Sequence, residues 1–391
     1  MRLPRAAVEG DVAHAETQPR PVPRGAIPSL DGIRAIAVAL VFLAHNDLEN
    51  VVPGGLGVTV FFVLSGYLIS TLMRMEYAAK GSLDYRAFYL RRFLRLMPPL
   101  VCVVALVGVL AAFAVVDGAF SVGGVLAVLF YYGNYFVIAN DFDGLPAGVG
   151  VVWSLAVEEH YYLLYPPLAA VLLRYGRAGL SAGVLLALCA LVLGWRWWLA
   201  LNGASEAHLT MATDTRVDAI LVGCLMALWR NPWLDPKPAA SPRRDALIVG
   251  VCIAVLLFTL AYRDEFFRLT VRYTMQSAAV APLIYLAVAS AQRWPFRWLN
   301  ARPLVYLGTI SYTVYLSHHV ILLLVAKHWP ELDWLGATLA AIVLTLAVAE
   351  PIRRWVEQPC ARLRKHLHVR RAAASTGSLA PLPGVSSGGP S

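Results

Sequence analysis

Residues 29–46 read SLDGIRAIAVALVFLAHN, an apolar run of helix length that carries two ionisable side chains, Arg34 and His45. An ionisable side chain near mid-membrane costs about 2.5–3.5 kcal/mol on insertion scales, so each of the two calls for a reason. At ~100° per residue, eleven positions bring Arg34 and His45 within about 20° of one helix face, roughly 16 Å apart along the axis. They share a wall without touching. Such a pair suits a long substrate lying along the helix, with Arg34 meeting an anionic or carbonyl group at one end and His45 acting at the other. Histidine is the natural general base for a hydroxyl proton near neutral pH. The plainer alternative is a pair of interface anchors, with Arg34 snorkelling to the headgroups.

The rest of the chain places this run in a bilayer. Of 391 residues, 59% are hydrophobic and 15% charged, eleven are Trp, and the mean hydropathy is +0.62. A soluble domain carries about a quarter of its residues as Asp, Glu, Lys and Arg, so a soluble globular enzyme is excluded. The formal charge of +9 comes from short basic clusters between apolar runs. That is the pattern of the positive-inside rule, and no nucleic-acid partner is expected. The five cysteines show no CxxC spacing, and Cys102, Cys189, Cys224 and Cys252 fall inside apolar runs as small core residues.

Scanning for about 20 mostly apolar residues gives candidate spans near 32–47, 56–73, 98–116, 122–139, 149–172, 179–200, 213–229, 245–262, 273–291, 304–326 and 333–352. Both termini are basic and belong on the cytoplasmic side, which requires an even number of crossings. One of these eleven candidates, within 98–172, therefore fails to span. The expectation is an all-α polytopic membrane helix bundle of about ten transmembrane helices, in the plasma membrane with both termini cytoplasmic. Residues 1–29 form a polar leader without an apolar signal-peptide core, 30–363 the transmembrane domain, and 364–391 a basic and then low-complexity tail. Leader and tail are expected to be disordered.

Four further motifs carry polar groups. In FYLRRFLRLMPP (88–99), Arg91 and Arg95 fall at i,i+4 with Arg92 beside them. Three guanidiniums there make a polyanion site, or simply a basic cluster at the lipid headgroups. In GVGVVWSLAVEEHYYLLYPPL (148–168), Glu158, Glu159 and His160 interrupt an apolar run, Trp153 and Glu158 lie in one wide stripe, and Tyr162 is placed to hydrogen-bond Glu158. DTRVDAILVGCLMA (214–227) opens with Asp214, Arg216 and Asp218, read as a neutralised helix start. GTISYTVYLSHHVILLL (308–324) puts Tyr315 and His318 on one face, while the adjacent His318 and His319 diverge by about 100° and do not chelate one metal together. No metal site is expected. FFVLSGYLIS (61–70) reads as close helix packing around Ser65 and Gly66.

Taken in order, the first-helix run, GVTVFFVLSGYLIS, FYLRRFLRLMPP, VVWSLAVEEHYYLLYP, TRVDAILVGCLMA, ISYTVYLSHH and a closing WVEQP (355–359) resemble the acyltransferase 3 family of integral-membrane O-acyltransferases. The resemblance implies a bundle of about ten transmembrane helices that moves an acyl group from acyl-CoA to a hydroxyl, commonly on a sugar. It implies catalytic roles for His45 and Arg34, with Glu158 shaping the site. Donor binding falls to Arg91, Arg92 and Arg95, and substrate contacts to Trp153, Tyr315 and His318. Acyl-CoA, with acetyl-CoA as the expected form, is then a co-substrate and no cofactor is permanently bound. The partners are this donor, a sugar-containing acceptor and the bilayer. Where members often carry Trp on either side of the late histidine, this chain has Ser317 and His319. A stand-alone transferase from a high-GC bacterium is expected. The competing class is a proton-coupled transporter in which Glu158, Glu159 and His45 relay protons.

Overall fold

The computed structural model describes residues 27–48, 52, 54–237 and 241–364. Most of the expected leader (1–26) and tail (365–391) lies outside the described residues. Every regular element among the described residues is helical. In chain order they are α1 (Leu30–Leu43), α2 (Gly54–Lys80), α3 (Tyr85–Ala112), α4 (Val122–Leu129), α5 (Gly133–Asn140), α6 (Trp153–Tyr175) and α7 (Ala178–Leu201). There follow α8 (Glu206–Met211), α9 (Thr213–Trp229), α10 (Pro242–Ala261), α11 (Glu265–Leu269), α12 (Val271–Ala289), α13 (Arg302–His328) and α14 (Trp334–Ile352).

Among the described residues, six helices are long and apolar enough to cross a membrane: α2, α3, α7, α10, α13, and α14 with its continuation to Arg364. Their burial sorts them into layers. In α2 and α13, 72% and 67% of the most apolar stretch is buried inside the protein, against 11% in α10. Thus α2 and α13 are central, while α10 turns most of its apolar surface outward, as lipid contact requires. Four more helices, α1, α6, α9 and α12, are 14 to 23 residues long, and α1, α6 and α9 carry Arg34, Glu158, Glu159, His160, Asp214, Arg216 and Asp218. The 122–139 candidate divides into α4 and α5, each of 8 residues, around the positive-φ Tyr131. At 1.5 Å per residue each spans about 12 Å, far short of a hydrocarbon core of about 30 Å.

The central helices approach at glycines. A Cβ on Gly66 of α2 would lie 1.9 Å from the Ile220 carbonyl oxygen of α9, and one on Gly223 of α9 would lie 2.1 Å from the Val63 oxygen of α2. The two backbones are in mutual contact, as the small-residue reading of Gly66 expected. Between α6 and α9, Tyr161, Tyr165, Ile220 and Cys224 fill the core. Among the described residues Cys189, Cys224 and Cys252 are buried free thiols, whereas Cys102 is only half-buried.

Asp214, Arg216 and Asp218 do not neutralise one another. Asp218 is bound by the fully buried Arg196 of α7 at 3.0 Å. Asp214 accepts from Trp195 Nε1 at 2.8 Å and lies 3.1 Å from His208. Arg216 stacks 3.6 Å above the Tyr273 ring and donates to Thr210 O and Thr59 Oγ1. Helices α7, α8, α9 and α12 are thereby tied together by one polar network.

Candidate active site

Two cavities lie at the end of the bundle where α1 begins. The inner one has a cavity volume of about 90 Å³, and its polar lining comprises Arg34, Arg92, Arg95, Glu158, Tyr162 and Tyr315 among others. The outer one, about 350 Å³, is lined by Asp31, Arg353, Glu357, Gln358 and Arg364 among others. Arg34, Arg95, Ser311 and Tyr312 belong to the walls of both, so the two chambers adjoin.

Each arginine is placed by its helix. In α3, capped by Asp84 accepting from Ala87 N at 2.9 Å, Arg92 and Arg95 sit three residues apart on one face. Arg92 lies over the rings of Phe88 and Tyr162 at 5.9 and 5.6 Å, and its buried Nε has no hydrogen-bond partner among the described residues. Arg91 points elsewhere, pairing with Glu76 of α2 at 3.1 Å and lining neither cavity. Arg34 donates to Asp31 one turn before it, at 2.5 Å. The arginine site is therefore Arg34, Arg92 and Arg95, with Arg353 and Arg364 farther out.

Glu158 faces this cluster. Its Oε2 accepts from Tyr162 Oη at 2.8 Å and from Ser65 Oγ at 3.2 Å. The neighbouring acid takes a different environment, and buried Glu159 Oε1 has no hydrogen-bond partner among the described residues. One turn back along α6, Ser154 Oγ lies 2.7 Å from the hydroxyl of Tyr315, which also donates to Val151 O at 2.9 Å. Tyr315 and Ser154 both line the inner cavity.

His45 stands beyond this wall. The helix loosens into a π turn over Ala44–Leu48, a widening often found at functional sites, and His45 is exposed there. Its Nδ1 lies 2.9 Å from Val41 O and 3.3 Å from Nε2 of His318, one turn past Tyr315 on α13. The His319 ring centroid is 4.4 Å from that of His45. Three histidines thus meet, yet no group of His, Cys, Asp or Glu among the described residues has the geometry to hold a metal. Neither cavity reaches His45 or Trp153. Trp153 instead packs edge-on against Phe62, 6.2 Å between centroids, with Arg216 5.6 Å from its ring.

A family model described as an acyltransferase domain matches residues 27–353. The chain belongs to the acyltransferase 3 family, a family of transferase enzymes. This acyltransferase-family chain is 30% identical over 350 residues to the peptidoglycan O-acetyltransferase OatA of Listeria monocytogenes, covering 85% of this chain and 55% of that protein. It is 31% identical over 351 residues to the putative peptidoglycan O-acetyltransferase YrhL of Bacillus subtilis, covering 85% and 54%. A putative O-acetyltransferase of Staphylococcus aureus is 28% identical over 357 residues, covering 85% and 57%. The chain spans little more than half the length of these curated relatives. No solved structure matches it significantly.

Ser65, Tyr162, Ser311 and Tyr312 form cavity walls and Arg353, Glu357 and Arg364 the outer rim, roles that the local sequence pattern did not assign. The closing WVEQP run, matched only as a motif, signalled Glu357 and Gln358.

Proposed function

We propose that this protein transfers an acetyl group from acetyl-CoA to a hydroxyl of a carbohydrate acceptor, as the names of its peptidoglycan O-acetyltransferase relatives suggest. The observation that carries the reading is the order of groups through the bundle. Arginines surround an opening at one end, the cavity runs inward to Tyr315, and His318 one turn farther touches His45.

Coenzyme A is a polyphosphate on a long flexible arm. Arg92 and Arg95 take its phosphates in fork geometry, with Arg353 and Arg364 at the rim, and the arm enters the inner chamber. Arg34 lies roughly 16 Å from His45 along α1, so it serves the donor side and not an oxyanion formed at His45. Glu158, held by Tyr162 and Ser65, limits the positive charge of the chamber.

At the far end His45 accepts the proton of the acceptor hydroxyl as that oxygen attacks the thioester carbonyl. The tetrahedral intermediate collapses with cleavage of the C–S bond. The departing thiolate takes the proton from the imidazolium, giving an O-acyl ester and free coenzyme A thiol.

Ten crossings are then made by the six long apolar helices together with α1, α6, α9 and α12. In this arrangement the arginine end faces the cytoplasm of a bacterial plasma membrane, with both termini on that side. The test is thermal stabilisation of detergent-purified protein by acetyl-CoA. Saturable stabilisation that is lost in Arg92→Ala plus Arg95→Ala supports the reading. Folded protein that no acyl-CoA stabilises turns it toward proton-coupled transport, to be measured as flux in proteoliposomes.

A further inference from the structure

The three-histidine contact lies outside both cavities, and its hydrogen bonds determine where its protons sit. His318 is fully buried, and its Nδ1 lies 2.6 Å from the carbonyl oxygen of Tyr315. A carbonyl only accepts, so this contact requires the His318 proton on Nδ1. Nε2 of a neutral His318 then carries a lone pair, directed at His45 Nδ1 3.3 Å away. His45 Nδ1 also faces a carbonyl, that of Val41 at 2.9 Å. Val41 O and His318 Nε2 are both acceptors, and one N–H shared between them satisfies both.

We infer that His318 is a positioning residue that, with the Val41 carbonyl, keeps the proton of neutral His45 on Nδ1 and so makes Nε2 the basic nitrogen. The catalytic consequence rests on the reading of His45 as general base. An imidazole in water populates both tautomers, and the form with its proton on Nε2 presents no lone pair there to an acceptor hydroxyl. With Nδ1–H held by two acceptors, Nε2 accepts the hydroxyl proton. The resulting imidazolium keeps Nδ1–H shared between Val41 O and His318 Nε2 while Nε2–H passes its proton to the thiolate. A carboxylate orients the histidine in many hydrolytic triads, whereas here the orienting group is a second, neutral histidine. Its own tautomer is set by a helix carbonyl, and its ring is packed against Tyr315 and Phe42 at centroid distances of 5.6 and 6.3 Å. The His319 ring packs beside His45, its centroid 4.4 Å from that of His45.

The experiment is nitrogen-15 NMR of histidine-labelled full-length protein in nanodiscs, with the His45 signals identified by their loss in His45→Ala. It is paired with steady-state kinetics. The expected wild-type spectrum has His45 protonated on Nδ1 and bare on Nε2. In His318→Phe the Nε2–H form of His45 gains population, and kcat falls by about tenfold, the worth of one hydrogen bond of about 1.4 kcal/mol, while KM for acetyl-CoA holds. His318→Gln, whose amide oxygen offers an acceptor near the Nε2 position, restores both tautomer and kcat. Wild-type His45 carrying its proton on Nε2 overturns the inference, and so does a His318→Phe spectrum identical to wild type. Equal damage in the Phe and Gln variants with loss of acetyl-CoA binding also overturns it, because that pattern marks a packing role. The tautomer is read without turnover. Failure of His45 as base, seen as activity retained in His45→Ala, is therefore distinguishable from failure of the positioning role.

Discussion

His318 Nε2 lies 3.3 Å from His45 Nδ1 although 273 residues separate them in the chain. The contact exists because α1 and α13 lie side by side from end to end. A Cβ on Gly308, near the start of α13, would lie 1.9 Å from Asp31 O in the first turn of α1. With the helices fixed at that end, their far ends bring the two histidines together.

The first prediction concerns the histidine end. His45→Ala removes the base and leaves the arginine chamber untouched, since the two are separated by roughly 16 Å of helix. Transfer to any acceptor should fall by at least about 100-fold, the lower range for general-base catalysis, while acetyl-CoA still stabilises the protein against heat. Measured turnover within a few-fold of wild type would remove His45 from the mechanism.

At the arginine end, the sequence treated Arg91, Arg92 and Arg95 as one group, and the structure separates them. Arg92→Ala and Arg95→Ala should each weaken acetyl-CoA binding by about 10- to 100-fold, because a charge-assisted hydrogen bond contributes about 1.5–3 kcal/mol. Arg91→Ala loses the pair with Glu76, which keeps Lys80 as a counter-charge, and should leave the dissociation constant within about threefold. Calorimetric titration of the three variants checks this, and an equal loss in Arg91→Ala would show the donor lying across the other face of α3.

Much of this architecture was legible in the sequence, and the parts that were not share a cause. The all-helical bundle and the Tyr162–Glu158 hydrogen bond follow from composition and helical period, both local properties. The same period put Arg91 and Arg95 on one face, yet it contains nothing about Glu76, which lies on a different helix and captures Arg91. Asp218 likewise pairs with Arg196 from α7 and not with its neighbour Arg216. The division of 122–139 into α4 and α5 was hidden because both halves are apolar, and hydropathy does not register a turn at Tyr131. Partner choice between helices is what a one-dimensional pattern lacks.

Helix contact through glycine gives a third prediction. Gly66→Ala or Gly223→Ala drives a methyl into a backbone carbonyl, and neither α2 nor α9 yields without moving its partner. Each should cost about 1–3 kcal/mol or more, seen as a lower midpoint of thermal unfolding in detergent. Gly183→Ala on α7, where no atom lies within 4 Å of the added carbon, serves as the control and should leave the midpoint unchanged.

The buried pair of Arg196 and Asp218 yields the last prediction, and its sign depends on which partner is removed. Both side chains are fully buried, and Thr274 bridges them, accepting from Arg196 Nη2 at 2.6 Å and donating to Asp218 Oδ2 at 2.5 Å. Arg196→Met leaves the Asp218 carboxylate without its counter-charge away from water, which should cost about 3–5 kcal/mol. Replacing both partners, as Arg196→Met with Asp218→Leu, removes the stranded charge along with the attraction, so the double variant should be more stable than Arg196→Met alone. Thermal unfolding of the wild type, both single variants and the double variant closes the cycle. A double variant as unstable as the sum of the singles would mean that the two residues act independently, Asp218 being held by Thr274 and not by the guanidinium. The arginine chamber and His45 lie apart from this network, so any variant of the four that folds should retain its stabilisation by acetyl-CoA.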